Sequence, residues 1–100
     1  MIGSSGRIVM ISGASRGIGR AIALSLHAKG YTISAGARDV DALKHSLSAL
    51  QGDRLWCATY EAADRATHSA WVEATLSAFG RIDALVNNAG TSNTFSVEQG

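Results

Sequence analysis

Apolar residues fall in short runs that change period along the chain, and the changes mark the elements. Arg7-Ile8-Val9-Met10-Ile11 is a continuous β-branched run closed by Ser12-Gly13, the pattern of a strand buried on both faces. From Gly17 the apolar positions become Ile18, Ala21, Ile22, Leu24 and Leu26, with Lys29 and Gly30 behind them. That spacing predicts a helix over 18–29, ended by a cation and a glycine. Tyr31 to Ala35 is β-prone and leads into Gly36-Ala37-Arg38-Asp39, which reads as a turn. Asp39 or Asp41 then caps a second helix over 40–50. Leu55 to Thr59 is a third strand. Asp64 opens a third helix, in which His68, Trp71, Val72, Thr75, Leu76 and Phe79 recur at three-to-four spacing, and Ala84-Leu85-Val86-Asn87 is a fourth strand.

Strands alternating with helices in the order β-α-β-α-β-α-β predict an α/β domain with a parallel sheet and helices on both faces. Residues 1–6 are a tail, and 7–100 belong to one domain. Thr91 to Gly100 has no settled period, so the sheet is expected to end at its fourth strand with an apolar edge exposed. The chain therefore reads as cut, and a free piece of this length is expected to aggregate.

Composition narrows the partners. The 100 residues are 46% apolar and 17% charged, with a net charge of +1. Such a chain can bury a core but offers no basic stripe for nucleic-acid phosphates. No apolar run approaches the ~20 residues of a membrane span, and the first six residues lack the basic region of a secretory signal. The lone Cys57 forms no internal disulfide, which fits a reducing cytoplasm. His27, His45 and His68 lie on three different predicted helices without ligand-spaced partners and suggest no metal. A small-molecule partner remains.

The chemistry is concentrated between the first strand and helix, in Gly13-Ala14-Ser15-Arg16-Gly17-Ile18-Gly19. Its spacing, G-x-x-x-G-x-G, permits a tight turn and close approach of backbone to a pyrophosphate held at the helix N-terminus. Gly19 lets the helix pack on the strand. A ligand-free flexible turn would also use glycines, but a turn that follows a buried strand and opens a helix within a βαβ unit favours the nucleotide. Ser15 is placed to bond a phosphate oxygen rather than to act as a nucleophile, since no histidine base accompanies it.

Ser12-Gly13-Ala14-Ser15-Arg16-Gly17-Ile18-Gly19 and, after the fourth strand, Asn87-Asn88-Ala89-Gly90 together resemble the short-chain dehydrogenase/reductase family. Its opening motif carries threonine where Ser12 stands, and the hydroxyl is kept. The resemblance implies the first half of a Rossmann-type doubly wound sheet. It places Gly13, Ser15, Arg16, Gly17, Ile18 and Gly19 on the cofactor phosphates, and Asn88, Ala89 and Gly90 beside the adenosine ribose, with Asn87 tying neighbouring backbone. Glu61-Ala62 stand where the family has an Asp-Val pair near the adenine. Ala37 takes the place of the NAD-selecting aspartate and Arg38 follows it as in NADP-dependent members, with Arg16 able to close on the same 2′-phosphate. NADP(H) is thus expected over NAD(H). Arg38 could instead pair with Asp39, and Asp39 could reach a ribose hydroxyl.

The family's catalytic serine and Tyr-x-x-x-Lys are absent from these 100 residues: Tyr31 precedes Ala35, and Tyr60 precedes Asp64. No catalytic residue is therefore assigned. The expected protein is a cytoplasmic NADP(H)-dependent oxidoreductase interconverting a small-molecule carbonyl and an alcohol, a homo-oligomer at full length, to which this chain gives the dinucleotide-binding half. A non-catalytic NAD(P) sensor or scaffold would keep the same pocket. A purely structural α/β module would bind no dinucleotide.

Overall fold

The computed structural model describes residues 6–50, 52–88 and the backbone of 96–99. Its elements are β1 (Ile8–Ser12), α1 (Gly17–Ala28), β2 (Thr32–Ala37), α2 (Val40–Ser46), β3 (Leu55–Thr59), α3 (Arg65–Phe79), β4 (Ala84–Asn87) and β5 (Ser96–Gln99). The strands lie in the order β3-β2-β1-β4-β5. The first four are parallel, as the alternation of elements predicted, with Ile11 paired to Ala35 on one side and to Val86 on the other.

Because successive strand residues point to opposite faces, the sheet has two cores. Val9, Ile11, Ile33 and Ala35 meet Ala23 of α1 and Leu43 and Leu47 from α2 and its C-cap. Met10 on the other face meets Tyr60 and Trp71. Ile11, Ile33, Leu43 and Leu47 are fully buried, each contributing roughly 1.5–3 kcal/mol of hydrophobic stabilisation. The face under α3 also holds a polar chain. Trp71 Nε1 donates to Ser34 Oγ at 2.9 Å, Ser34 Oγ lies 2.7 Å from Thr75 Oγ1, and Thr75 Oγ1 donates to the Trp71 carbonyl at 2.8 Å. Each buried hydroxyl thereby has a partner, which burial demands.

Helix ends follow local chemistry. α1 closes with Gly30 N–H on the His27 carbonyl and Tyr31 N–H on the Leu26 carbonyl, the paired bonds of a Schellman motif. Arg54 Nη1 reinforces that corner by donating to the carbonyls of His27 and Tyr31. The Asp39 carboxylate accepts from the N–H groups of Asp41 and Ala42, and Asp64 accepts from Ala66, so α2 and α3 each begin under an aspartate.

Four expectations are corrected. β2 does not turn at Gly36 but runs to Ala37, because Gly36 pairs with Ser12 and Ala58 and Ala37 with Thr59; a side chain at Gly36 would strike the Trp71 ring and Tyr60 Cβ. The glycine thus admits the indole that covers the strand. α2 stops at Ser46 rather than Leu50, since Leu47 is already buried and Leu50 N–H falls back on the Leu47 carbonyl in a tight turn. On α3 the buried stripe is Trp71 and Thr75, while Val72 and Leu76 are 39% and 44% exposed. Finally, β4 is not the last strand, because β5 pairs antiparallel with it, Val86 against Val97. Ser96-Val97-Glu98-Gln99 carries no recognisable strand period; the unpaired backbone edge of β4 is satisfied by it instead.

Candidate functional site

The residues singled out from the sequence converge at the carboxyl ends of the parallel strands. Gly13 to Ser15 follow β1, Arg38 follows β2, Glu61 lies two residues after β3, and Asn88 follows β4. The chain leaves β1 toward β2 on one side and later returns to β4 on its other side. The β1/β4 boundary is therefore the switch point of the sheet, where open α/β folds leave a crevice for ligands.

Ser12 ties that boundary together. Its Oγ accepts from Asn88 N–H at 2.8 Å and donates to Asn87 Oδ1 at 3.1 Å. The hydroxyl shared with the family threonine thus joins the two motifs, and Asn87 uses its side chain for this rather than bonding only backbone. Ala89 and Gly90 lie outside the described residues.

Positive φ angles of 65° at Gly13 and 62° at Gly17 shape the turn, a conformation that a side chain disfavours. A methyl on Gly19 would collide with the Gly13 carbonyl and crowd the Asn88 amide. Gly13, Gly19 and Asn88 are thus packed into one junction of turn, helix and strand. The turn is also braced from behind, with Ser46 Oγ donating to the Ser15 carbonyl at 2.5 Å and Arg20 Nε donating to the Ser46 carbonyl at 3.1 Å. Ser46 has no sequence signal, because it acts only through the approach of α2 to α1.

In front of the turn the helix start is open. The N-cap Arg16 is extended and makes no side-chain cap bond, and the first turn of α1 holds no acidic residue. Nothing lies within 4 Å of where a side chain on Gly17 would project, and Ile18 is 63% exposed. Unpaired N–H groups and the helix dipole there favour an anion. The half-buried Ser15 and exposed Arg16 stand at the same mouth. Glycines, open space and uncapped N–H groups fit a dinucleotide pyrophosphate.

The second group of predicted residues meets at the ends of β2 and β3. Arg38 Nε lies 2.9 Å from Glu61 Oε2 in an ion pair, so Arg38 pairs with Glu61 and not with Asp39, whose carboxylate caps α2. Ala62 is exposed on the same loop. A separate apolar groove of about 350 Å³ runs between β3 and α3, lined by Trp56, Cys57, Ala70 and Trp71 among others. Burial pushes the Cys57 thiol up despite nearby Lys44, which leaves it a poor nucleophile. Among the described residues no cluster of His, Cys, Asp or Glu could hold a metal, and no helix is long and apolar enough to cross a membrane.

Comparison with known proteins agrees with this geometry. The sequence model described as short chain dehydrogenase matches residues 7–99. The chain is 46% identical over 92 residues to an agropine synthesis reductase of Rhizobium rhizogenes, covering 92% of this chain and 21% of that protein. It is 38% identical over 85 residues to a 3-oxoacyl-[acyl-carrier-protein] reductase of Staphylococcus aureus, covering 81% of this chain and 34% of that one. Among solved structures, a 3-ketoacyl-(acyl-carrier-protein) reductase of Brucella melitensis complexed with NADH superposes with a TM-score of 0.75 at 28% identity, over 81% of this chain and 33% of the other. A short chain dehydrogenase/reductase of Burkholderia phymatum in complex with NAD gives 0.77 at 28% identity, over 85% and 31%. The sheet is thus Rossmann-type, and the chain spans about a fifth to a third of the length of these relatives.

Proposed function

The chain belongs to the short chain dehydrogenase family, and on that premise we propose that it forms the NADP(H)-binding part of an oxidoreductase. The enzyme would interconvert a small carbonyl compound and an alcohol. The observation that carries the proposal is the join made by Ser12, which sets the glycine turn and the Asn87-Asn88 pair on either side of the switch point, beside a helix start without a side-chain cap. Gly13, Ser15, Arg16, Gly17, Ile18 and Gly19 would hold the pyrophosphate, and Asn88, with Ala89 and Gly90, the adenosine ribose. Glu61 and Ala62 would border the adenine. The nicotinamide ring, when bound, supplies the hydride chemistry. What these residues do is bind and orient.

Preference for the 2′-phosphorylated cofactor rests on Ala37 and Arg38. Ala37 offers no carboxylate to a ribose 2′-hydroxyl, and the Asp39 carboxylate is held in the cap of α2. Arg38, though paired with Glu61, keeps 80% of its side chain exposed to meet a phosphate. The plain NAD(H) reading draws support from the NADH and NAD held by the two solved relatives. Titration of the full-length protein separates them. NADPH is expected to bind more tightly than NADH, and Arg38→Ala to narrow that gap about tenfold, as loss of a charge-assisted contact of about 1.5 kcal/mol implies. Equal wild-type affinities would remove the preference.

A cytoplasmic homo-oligomer remains the expected setting. The non-catalytic sensor shares the whole site described here, so a serine and a Tyr-x-x-x-Lys elsewhere in the full-length protein decide between it and the enzyme.

A further inference from the structure

The bridge between Arg38 and Glu61 gives Glu61 a duty that the family resemblance does not assign. Both residues stand on fixed backbone. Ala37 is in register with Thr59, and Tyr60 N–H donates to the Ala37 carbonyl at 2.9 Å, which holds the ends of β2 and β3 together. Asp39 then anchors the chain after Arg38 at the start of α2. Glu61 is held by its own main chain. Its N–H donates to Thr67 Oγ1 at 2.9 Å, and its carbonyl accepts from Asp64 N–H at 2.9 Å. Thr67 and Asp64 both belong to the start of α3, so a third element fixes the backbone that carries this carboxylate.

From these anchors the side chains reach each other through one edge of the guanidinium. Arg38 Nε lies 2.9 Å from Glu61 Oε2, and the Arg38 side chain is 80% exposed. The terminal nitrogens are the ones that can present a two-pronged donor face to a phosphate. An exposed arginine otherwise samples many rotamers, and ordering it on binding costs free energy. A carboxylate on Nε reduces that cost while leaving the phosphate-facing edge open.

We infer that Glu61 is a positioning residue for Arg38, selecting the 2′-phosphorylated dinucleotide by pre-orienting the guanidinium. The inference rests on the NADP(H) reading above. It differs from an adenine contact in a way that can be measured, because adenine is common to both cofactors and the 2′-phosphate is not.

The test is titration of NADPH and NADH, followed by intrinsic or cofactor fluorescence, into the full-length protein as wild type, Glu61→Ala, Glu61→Gln, Arg38→Ala and the Arg38→Ala/Glu61→Ala double variant. Glu61→Ala is expected to weaken NADPH about three- to fivefold more than it weakens NADH, the scale of a good exposed ion pair. Glu61→Gln, which keeps the length of the side chain but removes its charge, should lose about as much preference as Glu61→Ala, and Glu61→Ala should not change the NADPH/NADH ratio further once Arg38 is gone. An equal loss for both cofactors, an unchanged or tighter NADPH affinity, or a loss of NADPH preference that persists without Arg38 would each overturn the inference. If the wild type binds neither cofactor, or Arg38→Ala leaves the gap intact, it is the underlying NADP(H) reading that fails. Cooperative thermal unfolding of every variant, measured alongside, keeps a folding defect from being taken for a binding one.

Discussion

Helices α2 and α3 begin under aspartates, and helix α1 does not. Asp39 and Asp64 accept the first N–H groups of their helices, whereas α1 starts at Gly17 behind an extended Arg16 with no acid in its first turn. Where a helix start serves only stability, a short acidic side chain satisfies its orphan donors. At α1, whose donors the proposed cofactor would use, the sequence withholds the cap and supplies glycine. The contrast separates structural from functional helix starts within one sheet, and it can be broken from either side.

The largest effect is expected at the junction behind the open helix start. Gly19→Ala puts a methyl against the Gly13 carbonyl and the Asn88 amide, backbone and side chain with little room to retreat. Overpacking of this kind costs roughly 1–3 kcal/mol, and a displaced turn should also reduce NADPH affinity more than tenfold. Chemical denaturation and cofactor titration check the two parts separately.

Next come the caps themselves. Asp39→Ala and Asp64→Ala should each lower stability by about 1 kcal/mol; for Asp64→Ala, cofactor affinity should stay within twofold. Arg16→Asp should do the reverse, giving α1 the carboxylate it lacks. Stability should rise by a few tenths of a kcal/mol, and NADPH affinity should fall, because a negative charge then occupies the approach of the pyrophosphate. Denaturation midpoints together with cofactor titration separate these outcomes. An Arg16→Asp protein that binds NADPH normally would place the phosphates elsewhere.

The smallest effect concerns Asp83, an acid far from any helix start that is held at the other end of β1. Burial raises its pKa, but hydrogen bonds from Arg81 and from Ile8 N–H, the latter at 2.7 Å, outweigh this and hold it below the ordinary value of 3.8. The folded state therefore favours the carboxylate. Its contribution is complete above the unfolded value and is lost as pH falls through the lower folded one. Thermal melts below about pH 4 should decline less steeply in Asp83→Asn than in wild type, with no effect on cofactor affinity at neutral pH.

Much of this was legible in the sequence because it is local. The run from Arg7 to Ile11, the glycines from Gly13 to Gly19, the cap Asp64 and the Gly30 terminus each follow from a few neighbouring residues, and the sequence narrows the second helix's cap to Asp39 or Asp41, of which the structure uses Asp39. What escaped depends on contacts between distant segments. Gly36 looks like a turn until Trp71, 35 residues later, is seen lying over it. Thr75 looks like one member of an apolar stripe until Ser34 supplies its partner across the sheet. Arg38 and Glu61 were each singled out, but for different parts of the cofactor. Their meeting requires the register of β2 against β3, which no local pattern encodes. β5 lacked a signal altogether, since its pairing draws on the backbone of β4 and not on its own periodicity.

The most direct test of the contrast among helix starts is to follow backbone amide resonances of the full-length protein as NADPH is added. The largest shifts are predicted for Ser15 to Gly19, where donors meet the pyrophosphate, with only small changes at Asp41 and Ala42 and at Ala66, whose donors are already bonded to aspartates. Unchanged amides at the start of α1 in a protein that nevertheless binds NADPH would contradict the account.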